Sequence, residues 1–353
     1  MKRILVVNPF GIGDAIFSMF LVEAIRRAVP DAFIGFVCNE RTADLARLDA
    51  SIDGTFVFNR DLFRKLWRQS PLLFYKELKG FLGVLKEARF DTLFDLSLGR
   101  QYSLFAMGIG IPDRIGFDFK GRGIFLTRKK KIDGYAGRQA AEIQLELLEA
   151  AGLRPDKNNL KLNLSISDAA RKAAGHELKS RGFSETDRIL ALAPGGGKSW
   201  GKDARFKQWD PGRFAEAANA FEGHTILLLG DEEERNLLEK TAGFLNAKSL
   251  ILAGEPIERV SAFLLRSRAL LCNDGGLLHL ANALGVKTVS IYGPVDEKVY
   301  GPFDRIVAHQ VVTQDVPCRP CYQKFHFPPC PYDRRCLDHL PAEKVVAALR
   351  KVI

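Results

Sequence analysis

Short apolar runs alternate with amphipathic stretches along most of the chain, and two segments share one plan. In the first, residues 3–7 are mostly apolar, a glycine-bearing loop follows, and residues 15–29 repeat apolar positions at helical spacing. The plan restarts with an apolar run at residues 189–193, a loop at 194–202 and an amphipathic stretch at 210–221. Each segment therefore predicts a strand, a loop and a helix, in that order.

Further apolar runs predict more strands, and most of them adjoin helical patterns. They cover residues 32–38, 55–58, 92–96, 225–229, 250–252, 269–273 and 288–292. Buried apolar strands that alternate with helices are typical of parallel sheets covered on both faces. We therefore predict an α/β protein with two doubly wound, Rossmann-like domains, over residues 1–163 and 164–340. Because ligands bind beyond the carboxyl ends of such strands, we expect loops of both domains to line a shared cleft.

Composition narrows the class of protein. The 353 residues are 46% hydrophobic and 27% charged, which is typical of a globular protein and excludes collagen-like, coiled-coil and disordered chains. The longest apolar stretch falls far short of the roughly 20 residues that span a bilayer. The first residues also lack the apolar core of a secretory signal. We therefore expect a cytoplasmic protein.

The charge is basic and unevenly distributed. The net charge is +10, and residues 1–163 carry 26 basic against 19 acidic side chains. Residues 120–138 hold seven basic side chains and one acid, and they suit either a solvated loop or a holder of an anionic substrate. A basic field attracts nucleic acid, an anionic membrane face or a phosphorylated substrate, and charge alone does not choose among them.

The first glycine-bearing loop precedes a predicted helix and carries one acid. Gly11 and Gly13 let the backbone approach a ligand closely, and Asp14 falls at the helix start. A nicotinamide-binding fingerprint would need a third glycine where Ile16 stands, so that class fits poorly. Asp14 is then either a helix N-cap, the usual role of Asp at such places, or a catalytic carboxylate.

The second loop is rich in glycine and lysine. Gly195, Gly196 and Lys198 follow a predicted strand, but the spacing lacks the earlier glycine of a nucleotide-triphosphate P-loop. The backbone amides of such a loop, together with Lys207, suit a diphosphate. The alternative for Lys207 is a surface lysine beside a packed tryptophan, Trp209.

Two further loops follow predicted strands of the second domain. The acids at residues 231–234 suit hydrogen bonds from ribose hydroxyls or, alternatively, form a favourable acidic first turn of a helix. Residues 274–279, Asp-Gly-Gly-Leu-Leu-His, open a small-residue helix whose unpaired N–H groups predict a diphosphate site. His279 lies one turn into that helix and is either a donor to the same anion or a satisfied core histidine.

Four of the six cysteines fall within 19 residues. Cys318, Cys321, Cys330 and Cys336 are spaced C-x₂-C-x₈-C-x₅-C in a proline-rich segment. In a cytoplasmic protein such thiols suit a structural zinc or iron ion better than disulfides. The alternative is a set of reduced, unliganded thiols.

Together these motifs resemble a known family. The glycine-rich loop with Lys207-Gln208-Trp209, Gly-Ile-Gly-Asp14, Gly230 with its acids, Asn273-Asp-Gly-Gly-Leu-Leu-His279 and Ile291-Tyr-Gly-Pro294 are similar in order and spacing to the heptosyltransferases, glycosyltransferase family 9. The resemblance implies the GT-B architecture, two Rossmann-like domains facing across a cleft, with the acceptor on the N-terminal domain and the sugar nucleotide on the C-terminal one. In GT-B proteins a C-terminal helix, here residues 341–353, commonly crosses back to the N-terminal domain.

The resemblance further implies an inverting transfer of heptose from ADP-heptose to a hydroxyl of the lipopolysaccharide inner core, with phosphorylated lipid A-core as acceptor. Carried over by position, Asp14 resembles the general base and Lys207 the cation beside the donor phosphates. Glu233 is our choice for the ribose contact. The other implied substrate-binding positions are Gly11, Gly13, Gly195, Gly196, Lys198, Asp274, Gly275, Gly276, Leu277 and His279. Position 275 departs from the family, because many members place Thr there and its hydroxyl bonds the phosphate.

Some expectations concern cofactors and partners. No Asp-x-Asp motif occurs in the sequence, so we expect catalysis without a metal cofactor. We also expect peripheral contact with the inner membrane and no nucleic-acid binding. Two alternatives stay open: a GT-B transferase with another nucleotide sugar or a non-lipopolysaccharide acceptor, and a basic nucleic-acid-binding protein with a four-cysteine metal site. The interleaved aromatic and basic residues at 63–68 lend slight support to the second.

Overall fold

The chain forms two compact units, each built around one six-stranded parallel sheet. The computed structural model describes residues 1–154, 160–303 and 308–353, without the side chains at 198, 199 and 202. The units are Met1–Asn163 and Leu164–Ile353. Within the described ranges, no helix is both long enough and apolar enough to cross a lipid bilayer.

The first unit has the strand order β3-β2-β1-β4-β5-β6. Its strands are β1 (Arg3–Val7), β2 (Phe33–Cys38), β3 (Gly54–Val57), β4 (Thr92–Asp95), β5 (Asp113–Phe119) and β6 (Arg128–Ile132). Its helices are α1 (Ile12–Ala28), α2 (Glu40–Leu48), α3 (Arg60–Gln69), α4 (Pro71–Glu87), α5 (Gln101–Gly108) and α6 (Ala140–Ala150). Strand order reverses between β1 and β4, and such a switch point is where doubly wound sheets bind ligands.

The second unit has the order β12-β11-β10-β7-β8-β9, the same topology with its switch point between β7 and β10. Its strands are β7 (Arg188–Ala193), β8 (His224–Gly230), β9 (Ser249–Ala253), β10 (Ala269–Asn273), β11 (Lys287–Tyr292) and β12 (His309–Thr313). Its α-helices are α7 (Asp168–Ser180), α8 (Pro211–Asn219), α9 (Arg235–Ala242), α10 (Ile257–Leu264), α11 (Gly276–Ala283), α12 (Glu297–Tyr300), α13 (Arg335–Asp338) and α14 (Ala342–Leu349). Residues Lys198–Lys207 and Glu232–Glu234 are 3₁₀-helical.

Every predicted strand is present with its ends shifted by at most one residue, and three strands were missed. One of them, β6, lies within the basic segment of residues 120–138, for which a solvated loop was one of our two interpretations. It pairs in parallel with β5 at the edge of the sheet, where lysines discourage pairing with another chain. Two of its basic side chains form ion pairs with β5: Arg128 lies 3.0 Å from Asp113, and Lys129 lies 3.6 Å from Asp118.

The C-terminal helix packs within the second unit. Helix α14 contacts α8, β11 and β12, and its Val345 and Leu349 are fully buried in the core of that unit. The indole Nε1–H of Trp209 donates to the carbonyl of Leu340, just before the helix, at 3.2 Å. This packing differs from the expected return of residues 341–353 to the first unit, because the apolar face of the helix already covers its own sheet.

Candidate functional site

The chain passes from strand β10 into helix α11 at Asp274 and Gly275. Gly275 is the N-cap, with an extended backbone (φ 175°), and Gly276 begins the helix. Since a glycine N-cap has no side chain to accept from the first turn, the N–H groups of Gly276 and Leu277 stay available to an external acceptor. This helix start, predicted from the sequence, is therefore an anion-binding geometry.

A buried ion pair lies at this turn. Lys207 Nζ is 2.7 Å from Asp274 Oδ2, and both side chains are less than a tenth exposed. The same ammonium lies 5.1 Å from the centre of the Trp200 ring, a cation–π distance. Lys207 is thus not the surface lysine of the alternative interpretation. Because Asp274 offsets the cost of burying it, the cation is fixed in place beside the helix start.

Asn273 ties this turn to the glycine-rich loop. Its amide Nδ2 donates to the carbonyls of Pro194 at 2.7 Å and Gly195 at 3.1 Å. Its Oδ1 accepts from the backbone N–H of Trp209 at 3.1 Å. We did not single out Asn273 from the sequence, although an Asn as the last residue of a buried strand was the available signal. It brings the loops after β7 and β10 together at the switch point of the sheet.

Glu234 reaches back to the glycine-rich loop. Its carboxylate accepts from Gly197 N–H at 3.0 Å and from Asp231 N–H at 3.1 Å, and the Asp231 side chain accepts from Glu234 N–H in return. Burial raises its pKa. The alternative of an acidic first turn of a helix is therefore confirmed for Glu234, which forms a reciprocal capping box with Asp231. Glu233, our choice from the sequence, is exposed to solvent.

Two glycines of the loop are required by close packing. A Cβ on Gly195 would overlap the Glu234 carboxylate, and one on Gly196 would lie 2.6 Å from the backbone oxygen of Ala204. A side chain at either position would displace the loop from Glu234. Lys198 begins the 3₁₀ helix that follows, but its side chain lies outside the described residues.

His279 is buried in helix α11. Burial lowers its pKa to about 4; the charge of Asp274 opposes this shift and the charge of Lys207 adds to it. The imidazole is therefore neutral at physiological pH and carries a single N–H donor. Both alternatives from the sequence, a donor to the anion and a core histidine, are compatible with a buried neutral imidazole.

In the first unit, Gly11 and not Asp14 is the N-cap of helix α1, so the capping alternative for Asp14 is wrong. Gly13 and Asp14 are the second and third residues of the helix, and Asp14 is partly buried. The Asp14 carbonyl accepts from Asn8 Nδ2 at 2.9 Å. Its carboxylate therefore lies in the first turn of α1, where the helix dipole favours a negative charge.

Two asparagines that we did not single out hold the first loop. Asn8 directly follows β1, is almost fully buried, and accepts from Phe10 N–H at 3.0 Å. Asn39 directly follows β2 and donates to the carbonyls of Pro9, at 3.0 Å, and Phe10. Both positions carry the same signal as Asn273, a buried amide just where a parallel strand ends. They fix the backbone that presents Gly11 and Asp14.

Known proteins are similar to this chain over most of its length. Residues 81–327 match the family model described as glycosyltransferase family 9 (heptosyltransferase). The chain belongs to glycosyltransferase family 9. It is 29% identical to lipooligosaccharide heptosyltransferase 2 of Campylobacter jejuni over 47% of this chain and 51% of that protein, so this match spans about half of the relative. It is 23% identical to lipopolysaccharide heptosyltransferase 2 of Escherichia coli over 83% of each chain.

A solved structure supports the fold of this family 9 chain. The E. coli ADP-heptose lipopolysaccharide heptosyltransferase II matches with a TM-score of 0.77 at 20% identity, over 100% of this chain and 98% of that one. The likeness confirms the GT-B fold predicted from the sequence, with two Rossmann-like α/β units.

The family 9 chain also buries an acid at the switch point of its first sheet. Asp95 ends β4, and its Oδ1 accepts from Ser97 N–H at 2.9 Å. Its Oδ2 is buried without a hydrogen-bond partner among the described residues. Burial raises the pKa of Asp95 to about 6, while hydrogen bonds from Ser97 and Ser103 act in the opposite direction. This carboxyl therefore takes up a proton more readily than an ordinary aspartate.

The four clustered cysteines are reduced and lie close enough to influence one another. Burial raises the pKa of Cys321 to about 12 and that of Cys336 to about 11, and the charges of neighbouring thiols add to both shifts. No group of three or more His, Cys, Asp or Glu side chains in the described ranges is arranged to hold a metal ion. The cysteine segment packs on the 3₁₀ segment Lys198–Lys207, because Trp200 lies 5.1 Å from Tyr322 and 4.9 Å from Phe327 between ring centres.

Proposed function

We propose that this protein transfers heptose, with inversion, from ADP-heptose to a hydroxyl of the lipopolysaccharide inner core. Membership of family 9 and the names of its curated relatives support the reaction class. The single observation that carries the proposal is the buried Lys207–Asp274 pair at the glycine-opened start of α11. A buried cation beside unpaired backbone N–H groups is an arrangement that favours a diphosphate.

The donor diphosphate is proposed to lie between Lys207 and the first turn of α11. The charge that develops on the departing diphosphate is then met by a cation and a helix terminus that need no reorganisation. Asp274 contributes by holding Lys207 in position, and Asn273 by holding the glycine-rich loop. His279, neutral in this environment, would donate one hydrogen bond to the donor.

Glu233 remains our proposed ribose contact. Both oxygens of Glu234 already accept backbone N–H groups, from Gly197 and Asp231. Glu233, one residue earlier, has an exposed side chain that a ribose can reach from solvent. The division of labour is therefore structural for Glu234 and ligand-binding for Glu233.

Asp14 is the proposed general base. Inversion requires the acceptor oxygen to attack the anomeric carbon from the face opposite the departing diphosphate, so the base must be a group other than those that hold the phosphates. A positioned carboxylate removes the proton of the acceptor hydroxyl as the new glycosidic bond forms. Asp14 fits because the loop that presents it is fixed by Asn8 and Asn39.

Nucleotide selectivity tests the donor. We expect ADP to raise the unfolding temperature more than UDP or GDP does, since ligand at a hundred times its Kd adds about 2.7 kcal/mol of stability. Turnover of ADP-heptose with a lipopolysaccharide-core acceptor should then persist in EDTA, because Lys207 and the helix start replace a metal. A larger shift with UDP or GDP would favour another nucleotide sugar, and EDTA-sensitive turnover restored by Mg²⁺ would contradict the metal-free proposal.

We also propose that the cysteine segment holds a structural zinc or iron ion. Four thiols within 19 residues suit a soft cation, which binds thiolate sulfur. Their arrangement in the described residues is not yet a coordination site, so no catalytic step is assigned to a metal. Elemental analysis of the purified protein decides the point, and substoichiometric zinc and iron would end the proposal.

A further inference from the structure

Helices α3 and α4 form a hairpin whose connection exposes large apolar side chains. Trp67 is 62% exposed, Leu72 is 78% exposed and Tyr75 is 64% exposed, and Leu73 is also exposed. We call residues 64–79 the hairpin tip. Single exposed apolar residues need no explanation, but four within nine residues form a patch that marks an interaction surface.

The hairpin is anchored from its other side. Phe63 stacks on Phe58 with ring centres 4.3 Å apart, and Phe74 lies edge-on to Phe63 at 5.8 Å. Trp67 lies 5.0 Å from Phe74 between ring centres, so its indole is held against the hairpin while its outer face stays in solvent. The four exposed apolar side chains of the tip are therefore distinct from Phe74 and Leu78, which pack against the core.

Basic side chains surround this patch. The tip carries Arg64, Lys65, Arg68, Lys76 and Lys79 against one acid, Glu77, and all six are exposed. Over residues 60–89 there are eight basic and three acidic side chains, a surplus of five out of the net +10 of the whole chain. On α4, Leu72, Tyr75 and Lys79 are spaced three and four residues apart and share one helix face.

We propose that the hairpin tip docks the protein on an anionic phospholipid surface, with Trp67, Leu72 and Tyr75 entering the interface and the flanking Lys and Arg side chains meeting lipid phosphates. Amphipathic helices with aromatic and leucine side chains among basic ones bind in the plane of a membrane interface. Basic residues outside the interface add electrostatic attraction to anionic lipids. A lipid surface satisfies both halves of the patch at once.

The biological sense of this docking rests on the proposed function, because an acceptor built on lipid A is held in a membrane. The observations that support docking do not rest on the proposed function, since exposure and charge are properties of the hairpin alone. Nucleic acid is the competing ligand for a basic, aromatic surface, and the test includes it.

The experiment uses the full chain with vesicles that contain no acceptor. We expect sedimentation with phosphatidylglycerol–phosphatidylethanolamine vesicles, little with phosphatidylcholine vesicles, and weaker binding as salt rises. The variant Lys65→Gln/Arg68→Gln/Lys76→Gln should bind anionic vesicles on the order of a hundredfold more weakly, at about fivefold per charge. The matched control, Lys172→Gln/Lys179→Gln/Lys240→Gln, removes three exposed charges from the second unit and should bind normally.

The fluorescence emission of Trp67 gives a second measurement of docking, because it depends on whether the indole is in water or in lipid. The other two tryptophans, Trp200 and Trp209, are partly and fully buried, so a blue shift of emission on vesicle binding should come from Trp67. Trp67→Phe should lose the shift and keep binding. Trp67→Ser/Tyr75→Ser should lose about tenfold or more in binding. Phe244→Ser, at another half-exposed aromatic side chain, should not.

The outcomes separate this inference from the proposed function. Anionic-vesicle binding that depends on the tip supports docking, whether or not heptose transfer is detected. Absent vesicle binding, or binding that the tip variants leave unchanged, overturns it even if transfer to a soluble acceptor proceeds. Tip-dependent retention of a labelled oligonucleotide without vesicle binding would also overturn it, in favour of a nucleic-acid surface.

Discussion

The switch points of the two sheets share a topology and differ in how their polar groups are satisfied. In the second unit, Lys207 and Asp274 pair at 2.7 Å and Asn273 bonds two strand-end loops to each other. In the first unit, Asn8 and Asn39 hold the loop through neutral amides, and the buried acid Asp95 leaves one oxygen without a hydrogen-bond partner among the described residues. Burial raises the pKa of that acid to about 6.

The difference separates what the fold provides from what the residues provide. The same strand order places loops at the switch point in both units, but among the described residues a buried cation paired with an acid lies there only in the second unit. A fixed cation suits a ligand whose charge is constant, such as a diphosphate. A carboxylate presented by a loop that neutral amides hold can gain and lose a proton, as a general base does. The following changes test this contrast from the largest expected effect to the smallest.

Replacing Asp14 should abolish most turnover and spare donor binding. Asp14→Ala is expected to lower kcat by about 10² to 10⁴, because a positioned base contributes that much. ADP should still stabilise the variant, since its proposed contacts lie in the second unit. Asp31→Ala, which removes an exposed acid of the same unit, is the control. Unchanged turnover in Asp14→Ala would remove Asp14 from the mechanism.

Breaking the ion pair of the second unit should weaken donor binding and stability together. Lys207→Met leaves Asp274 buried and uncompensated, which costs about 3–5 kcal/mol of unfolding free energy. In Lys207→Met/Asp274→Asn the uncompensated charge is gone, so stability should return while ADP affinity, measured by calorimetry, stays low. A double variant that recovers both would show that the pair serves packing and not the donor.

The contrast also explains which features the sequence revealed. Apolar strands and the glycine-opened turn at Asp274 were predictable, because runs of apolar residues indicate burial and glycines indicate backbone freedom. Strand β6 was not, since its Arg-Lys-Lys-Lys run has the composition of a solvated loop and only pairing with β5 makes it a strand. Likewise, neighbouring glutamates are equivalent in sequence, and only the 3₁₀ turn decides that Glu234 faces the loop.

Acid should stabilise the first unit through Asp95. Its folded pKa, about 6, lies above the ordinary 3.8, so the stabilisation is complete below about pH 4 and is lost as pH rises through 6. Lowering pH from 7.5 to 5 should therefore add about 1 kcal/mol from this group. Thermal unfolding of wild type and Asp95→Asn at both pH values isolates the effect, and Asp95→Asn should gain less on acidification. Equal gains would show that Asp95 is ionised throughout.

Restoring a side chain at the helix start is the mildest change and the sharpest test of the second unit. A Cβ at Gly275 would meet only Asn273 O, at 4.0 Å, and the extended backbone there accepts any residue.

Gly275→Thr should change stability by only a few tenths of a kcal/mol, as for other glycine N-caps. Its hydroxyl adds one neutral hydrogen bond to a phosphate, so ADP affinity should rise by about three- to tenfold. Gly275→Val, similar in shape but without the hydroxyl, should show no gain. If Gly275→Thr left ADP affinity unchanged while Lys207→Met lowered it, the phosphates would lie against the lysine and away from the helix start.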